Sequence, residues 1–253
     1  MDRHALFKGL FQQYDRMALA AYQRTSAREK HDGTAVTALD LEANRLARDE
    51  LSAAFPHDGI ISEEDEGILH PGAARQWIVD PLDGTASFAR GYPIWGLGIG
   101  LMVDGICREG YLRFPVLGET FMHLDGTSLF NDRPLAAQVG TAIRDTRNVL
   151  IGSRALKAMP VARLQGFKLR NLGSNLYHLA CLAAGRADAV ISPPAYLWDI
   201  APALPLLTAQ GLAARYSDGT PFAVTDFGDR RARSQRAILF GPQETLAEML
   251  AML

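Results

Sequence analysis

Apolar residues recur at helical intervals near the start of the chain. Phe7, Leu10, Phe11, Tyr14, Met17, Ala18 and Ala21 form one stripe, and Leu39, Ala43, Leu46, Leu51 and Ala54 form a second that closes at Phe55-Pro56. The spacing predicts two amphipathic helices joined by a polar stretch at 28–34. Past Pro56 the pattern shortens. Gly59-Ile60-Ile61-Ser62 and Gln76-Trp77-Ile78-Val79-Asp80 have strand texture, and runs at 96–103, 105–113, 118–123 and 127–130 follow, punctuated by Asp-Gly, Pro and Gly. Helices on a mostly antiparallel sheet are expected for this half.

The remainder alternates. Strands are expected at 149–152, 167–170, 187–191 and 237–240, and helices at 154–165, at 174–185 with Ser174 as a cap, from Asp199 to just before Gly211, and at the end of the chain. That is α/β texture. A soft boundary at 135–148 divides an expected first unit, 1–140, from a second, 141–253. The apolar, glycine-spaced run at 96–103 fits a central strand or an interface.

Composition narrows the classes. Hydrophobic residues make up 48% and charged residues 21% of 253, which excludes a disordered or collagen-like chain. A formal net charge of −2 argues against a partner that is a nucleic acid polymer. The longest apolar stretch, 92–103, is too short to cross a membrane. The first residues lack a signal-peptide core, and Cys107 and Cys181 are isolated thiols, so a cytoplasmic location is expected.

Three acidic segments carry candidate chemistry: Ile61-Ser62-Glu63-Glu64-Asp65-Glu66, Trp77-Ile78-Val79-Asp80-Pro81-Leu82-Asp83-Gly84-Thr85, and Trp198-Asp199-Ile200-Ala201. Asp80 ends an apolar strand, and Pro81 keeps it extended without offering an N–H. The turn lets Asp80 and Asp83 converge with the Leu82 carbonyl between them. Close carboxylates repel unless a cation binds, and oxygen-only ligands select a hard one such as Mg²⁺. Gly84-Thr85 opens a helical segment whose free N–H groups can hold phosphate. Plainer readings remain open at this point: a turn Asp with a helix cap for DPLDGT, a solvated loop for 63–66, and a buried Trp before a helix cap for Trp198-Asp199. The phospho-aspartate pattern D-x-D-x-T does not fit, because the spacing here is D-x-x-D-G-T.

Together the segments resemble the inositol monophosphatase family, within the superfamily that includes fructose bisphosphatases and nucleotide 3′-phosphatases. The matching features are the Glu63-Glu64 pair, the long motif from Trp77 to Pro93, and Trp198-Asp199-Ile200-Ala201. Val36-Thr37-Ala38-Leu39-Asp40 and Phe130-Asn131-Asp132-Arg133-Pro134-Leu135 resemble further family segments. The resemblance implies a layered αβαβα fold with two sheets, usually as a homodimer. It implies a metal-dependent phosphoric monoester hydrolase acting on a small sugar or polyol phosphate, with two or three Mg²⁺ ions per site and inhibition by lithium.

The implied roles are specific. Glu63, Asp80 and the Leu82 carbonyl hold one Mg²⁺; Asp80, Asp83 and Asp199 hold the second. Thr85 and Glu63 position and activate the attacking water. The Gly84 and Thr85 amides hold the phosphate, with Asp83 and Asp199 beside it. Gly173, Ser174 and Asn175 line the substrate side, and Asp40 and Glu64 lie in an outer shell or touch a third ion. Most of these ligands fall in the expected first unit, and Asp199 and the substrate wall fall in the second. The six histidines show no pairing and are expected to be surface or core residues.

Departures from the family pattern bear on specificity. Ser87 replaces an Asn, and Ala209-Gln210-Gly211-Leu212 loses a carboxylate. The acid that contacts inositol hydroxyls falls at Ser192, beside Pro193-Pro194-Ala195-Tyr196. A carboxylate accepts two polyol hydroxyls where a Ser cannot. Alternatives are therefore a nucleotide 3′-phosphatase or histidinol-phosphate phosphatase and, from another class, a regulatory or interaction protein with residual phosphatase activity.

Overall fold

The computed structural model describes residues 2–24, 28–29, 35–136, 147–228 and 230–253. The expected boundary at 140/141 and residues 30–34 of the polar stretch lie outside the described residues. Two long helices open the chain, α1 (Arg3–Ala21) and α2 (Ala38–Ala54), with the two-residue strands β1 (Arg28–Glu29) and β2 (Ala35–Val36) between them. Asp2 caps α1 by accepting from the Ala5 N–H (3.1 Å). At α2, Asp40 reaches back to accept from the Thr37 N–H (2.6 Å), which closes a capping box.

A seven-stranded sheet follows. It contains β3 (Gly59–Ser62), β4 (Arg75–Asp83), β5 (Gly96–Val103), β6 (Ile106–Phe114), β7 (Glu119–Leu124), β8 (Thr127–Phe130) and β9 (Arg133–Pro134), in that spatial order. Only β3 and β4 run parallel. The short α3 (Thr85–Ala89) leaves the end of β4.

A five-stranded sheet is built from β10 (Asn148–Ile151), β11 (Lys168–Arg170), β12 (Ala189–Ser192), β13 (Ala213–Tyr216) and β14 (Ile238–Gly241), in the order β11-β10-β12-β14-β13. Its helices are α4 (Ser153–Ala158), α5 (Asn175–Ala183), α6 (Leu204–Ala209) and α7 (Gln243–Met252).

Strand alternation sorts the core into three seams. Trp77, Val79 and Ile99 bury against Phe7, Tyr14 and Leu39 of α1 and α2. Ile78 and Leu112 face the other way, toward Leu176 of α5, Leu206 of α6 and, from the second sheet, Val190 and Phe240. Ile151, Ile191 and Leu239 meet Ala155 of α4 and Leu246 and Met249 of α7. The layers are therefore αβαβα. Burying a large apolar side chain in such a seam stabilises by about 1.5–3 kcal/mol.

The glycine-spaced run at 96–103 is a central strand. A Cβ at Gly98 would stand 2.3 Å from Leu176 Cδ1, and one at Gly110 on the neighbouring strand 2.0 Å from the Pro202 carbonyl oxygen. Their absence lets the middle helical layer approach the sheet.

Three details differ from the sequence pattern. The helix expected over 154–165 stops at Ala158, because Pro160 lacks an N–H and holds Met159 extended (ψ 150°); a single 3₁₀ turn, Val161–Arg163, follows. The helix expected from Asp199 begins at Leu204. Asp199 Oδ2 accepts from the Tyr196 N–H (2.7 Å) behind it instead of capping forward, and turns occupy 199–203. Strand β13 carries two alanines and no apolar alternation, which hid it in the sequence.

Candidate active site

The site is built where β4 stops being a regular strand. Its ladder with β5 is in register through Asp80 and shifts before Asp83. Pro81 has no N–H to continue the ladder, and the Leu82 N–H turns back to donate to Asp80 Oδ1 (3.1 Å). The irregularity aims Asp80 and Asp83 toward one cleft. Gly84 then takes a left-handed conformation (φ 88°), and a Cβ there would press the Ile94 and Gly173 carbonyl oxygens at 3.0 and 3.2 Å. Thr85 follows as the first residue of α3, its hydroxyl 3.0 Å from both Asp40 Oδ1 and the Leu82 carbonyl oxygen.

Asp83 joins the two halves of the molecule. It accepts from Ser174 Oγ and from the N–H groups of Leu176 (2.7 Å) and Asn175 (3.2 Å), at the start of α5. Ser174 also caps that helix, accepting from the Tyr177 N–H (3.0 Å). A carboxylate at a helix N-terminus is favoured by the free amides and the helix dipole. Asn175 Nδ2 donates to the Asp199 carbonyl oxygen (2.8 Å), tying the turn that carries Asp199 to the same helix.

Electrostatics shows how strained the acid group is. Burial pushes the Asp80 carboxyl well above its ordinary range, and Glu63, Asp83, Asp199 and Asp40 add to the rise in that order. Asp199 is pushed to about 8, first by burial and then by Glu63, while the Tyr196 N–H and Arg154 pull it back. Burial raises Asp83 to about 6, with the donors from α5 holding it down. Mutual repulsion of this kind is relieved by a cation.

The cleft has a volume of about 450 Å³. Of the residues singled out in the sequence, Glu63, Asp80, Leu82, Asp83, Gly84, Thr85, Gly173, Ser174, Asn175, Ser192 and Asp199 all line it; Asp40 and Glu64 do not. Asp40 is buried behind Thr85 and occupied by Thr37. In the 63–66 run, Asp65 turns away to accept from Asn44 and Arg48 (2.8 Å each). Ser192 is fully buried at the end of β12, and the donors of Ser174 and Asn175 point at Asp83 and Asp199. Ser87, in place of the family's Asn, donates to the Gly173 carbonyl oxygen (3.2 Å).

Arg154, Asn171 and His178 also line the cleft and carried no signal in the sequence. His178 is buried; its Nε2 accepts from the Leu172 N–H (2.9 Å), so the neutral ring carries its hydrogen on Nδ1, and burial lowers its pKa to about 4.

The donor set around Asp80 is all oxygen and all acidic, with one backbone carbonyl, which fits a hard divalent cation and no soft one. Among the described residues, no three His, Cys, Asp or Glu side chains already stand as a closed ion cage.

Fold and cleft together define a phosphoric monoester hydrolase of the layered αβαβα type. The chain belongs to the inositol monophosphatase family, whose profile matches residues 8–252. It is 34% identical over 191 residues to a histidinol-phosphatase of Chlorobaculum parvum, covering 72% of each chain. It is 28% identical over 243 residues to a fructose-1,6-bisphosphatase/inositol-1-monophosphatase of Thermotoga maritima, covering 92% of this chain and 88% of the relative. The solved structure of a Thermotoga maritima IMPase has the same fold, with a TM-score of 0.83 at 23% identity, covering 100% of this chain and 96% of that one.

Proposed function

We propose that this phosphatase hydrolyses a small sugar or polyol phosphate with Mg²⁺, by direct attack of water. The observation that supports the metal is the convergence of Glu63, Asp80, Asp83 and Asp199 on one cleft, where burial first and neighbouring acids second raise Asp80 and Asp199. Glu63, Asp80 and the Leu82 carbonyl would hold one ion, Asp80, Asp83 and Asp199 a second, and Asp40 and Glu64 stand behind them or beside a third. Bound Mg²⁺ supplies Lewis-acid polarisation of the phosphate and eases deprotonation of water.

The residues divide the remaining work. Thr85 has its one hydroxyl hydrogen to donate to Asp40 Oδ1 or the Leu82 carbonyl oxygen, 3.0 Å each, and its oxygen can accept from the attacking water. Glu63 takes the water's proton as the new O–P bond forms. The Gly84 and Thr85 amides hold the phosphate oxygens. As the ester O–P bond breaks, the leaving alkoxide takes a proton from solvent. Units 1–140 and 141–253 meet across this cleft on the proposed reading, which also includes a homodimer and a cytoplasmic location; the two free cysteines support the latter.

A panel of small phosphomonoesters tests the reading: phosphate release must require Mg²⁺, stop with EDTA, and be inhibited by lithium in competition with Mg²⁺. No metal-dependent turnover on any member would refute it. A second reading, histidinol phosphate, is favoured by Ser192 standing where the family's polyol-binding acid would be and by the similarity to a histidinol-phosphatase. Comparing histidinol phosphate, inositol 1-phosphate and a nucleotide 3′-phosphate decides among them. Stable capture of a protein partner by a catalytically silent chain would instead support a regulatory role.

A further inference from the structure

The cleft does not end at the carboxylates. Arg154, on the first turn of α4, lines it and also lines a second hollow of about 430 Å³, shared with Pro194, Tyr196 and Arg233. The wall between the two spaces is held from both sides. Gly152 lets α4 close on Pro193, since a Cβ there would sit 2.8 Å from Pro193 Cδ. On the other side Ala195 and Ser234 exchange hydrogen bonds: the Ala195 N–H donates to Ser234 Oγ (2.9 Å) and the Ser234 N–H donates to the Ala195 carbonyl oxygen (2.8 Å). These bonds fix the backbone next to Arg233. The Tyr196 ring is stacked on Trp198 (4.7 Å between centroids, 10° between planes), and the Arg233 guanidinium stands 6.0 Å from the Tyr196 ring centre.

The second hollow is cationic. Among the described residues no acidic side chain lines it, and neither Arg154 nor Arg233 forms an ion pair. Arg154 lines the reacting end of the cleft together with Asp199 as well. Guanidinium groups bind phosphate and carboxylate through paired N–H donors. Two of them stand beside an aromatic face, and one is placed on both compartments.

Resting on the hydrolase reading above, we propose that Arg154 and Arg233 form a specificity site for a second anionic group, a phosphate or a carboxylate, on the leaving-group side of the phosphomonoester. The scissile phosphate lies against Gly84 and Thr85, and the leaving alcohol runs past Ser192 and Pro193 to the two arginines. A substrate with a cationic tail, such as histidinol phosphate, is disfavoured by the same charges.

Matched substrates test this in the intact enzyme with Mg²⁺. The pairs are glucose 1-phosphate with glucose 1,6-bisphosphate, and glycerol 2-phosphate with 2-phosphoglycerate; the first adds a phosphate and the second a carboxylate. The expected result is a kcat/KM about tenfold higher for the doubly anionic member of at least one pair, an advantage of about 1.4 kcal/mol that weakens with salt. Arg154→Ala and Arg233→Ala should each shrink that ratio about threefold or more, and the Lys variants should retain part of it. A change that only damaged folding would lower both members equally and leave the ratio intact. Equal kcat/KM within both pairs, or a preference that survives both Ala variants, overturns the proposal while the hydrolase reading stands. No turnover of any member removes the sugar- and polyol-phosphate reading on which the proposal rests.

Discussion

Asp199→Asn separates the electrostatic cost of the acid cluster from its use. Asn has the same size and its carbonyl oxygen can still accept from the Tyr196 N–H, so the substitution mainly deletes a charge. Asp199 rises from 3.8 to about 8 in the folded protein. A carboxyl with a raised folded pKa contributes its full stability below the unfolded value, and that contribution falls as pH climbs toward the folded one. The metal-free enzyme therefore loses stability from about pH 4 to about pH 8, by at most about 6 kcal/mol from this group. The side chain remains partly open to the cleft, so a few kcal/mol is the working expectation.

In a chain of this size each kcal/mol moves Tm by about 2–4 °C. In EDTA at about pH 8, Asp199→Asn should melt several degrees above the unsubstituted enzyme, with the gap closing as pH falls toward 4. Mg²⁺ at about a hundred times its Kd should add about 2.7 kcal/mol to the unsubstituted enzyme and much less to the variant, which should also lose turnover. Scanning calorimetry with and without EDTA, alongside phosphate release, measures all three. A variant less stable than the unsubstituted enzyme in EDTA at the higher pH, or one with undiminished turnover, refutes the reasoning.

Two further predictions concern groups around the cluster. Ser174→Ala removes the cap of α5 and a donor to Asp83; it should lower stability by about 1–2 kcal/mol in urea melts. It should also move the acid limb of the pH–rate profile upward, because Asp83 loses the hydrogen bond that does most to offset burial. His178 has its pKa lowered from 6.5 to about 4, so the fold loses stability as pH falls through that window, by about 3 kcal/mol. His178→Gln, able to keep an acceptor for the Leu172 N–H, should show a flatter stability profile there, and an unchanged slope would contradict the assignment.

Local chemistry was legible in the sequence and long-range chemistry was not. Asp80-Pro81-Leu82-Asp83-Gly84 announces a strand that bends, because Pro81 removes a ladder donor and Gly84 supplies a positive φ within five residues. The sequence could not show that Asp83 is held by the start of α5, since Ser174 is 91 residues away and its hydroxyl has no preferred partner at that distance. Glu63 and Glu64 are chemically alike; only the register of β3 against β4 decides which one faces the cleft. His178 lies in an apolar helix and reads as core, which it is, yet it also lines the cleft. Arg154 and Arg233 are ordinary surface arginines until Gly152 and Ser234 bring their segments onto one wall. The helix expected at Asp199 failed because the carboxylate bonds backward to Tyr196.

The most direct measurement of the central claim is anomalous diffraction from crystals soaked in Mn²⁺, as a heavier substitute for Mg²⁺, together with phosphate. Metal peaks are expected bonded to oxygens of Asp80 and Asp199, with phosphate density against the Gly84 and Thr85 amides. A cleft without ordered metal at saturating Mn²⁺, or peaks only at sites away from these carboxylates, would contradict it.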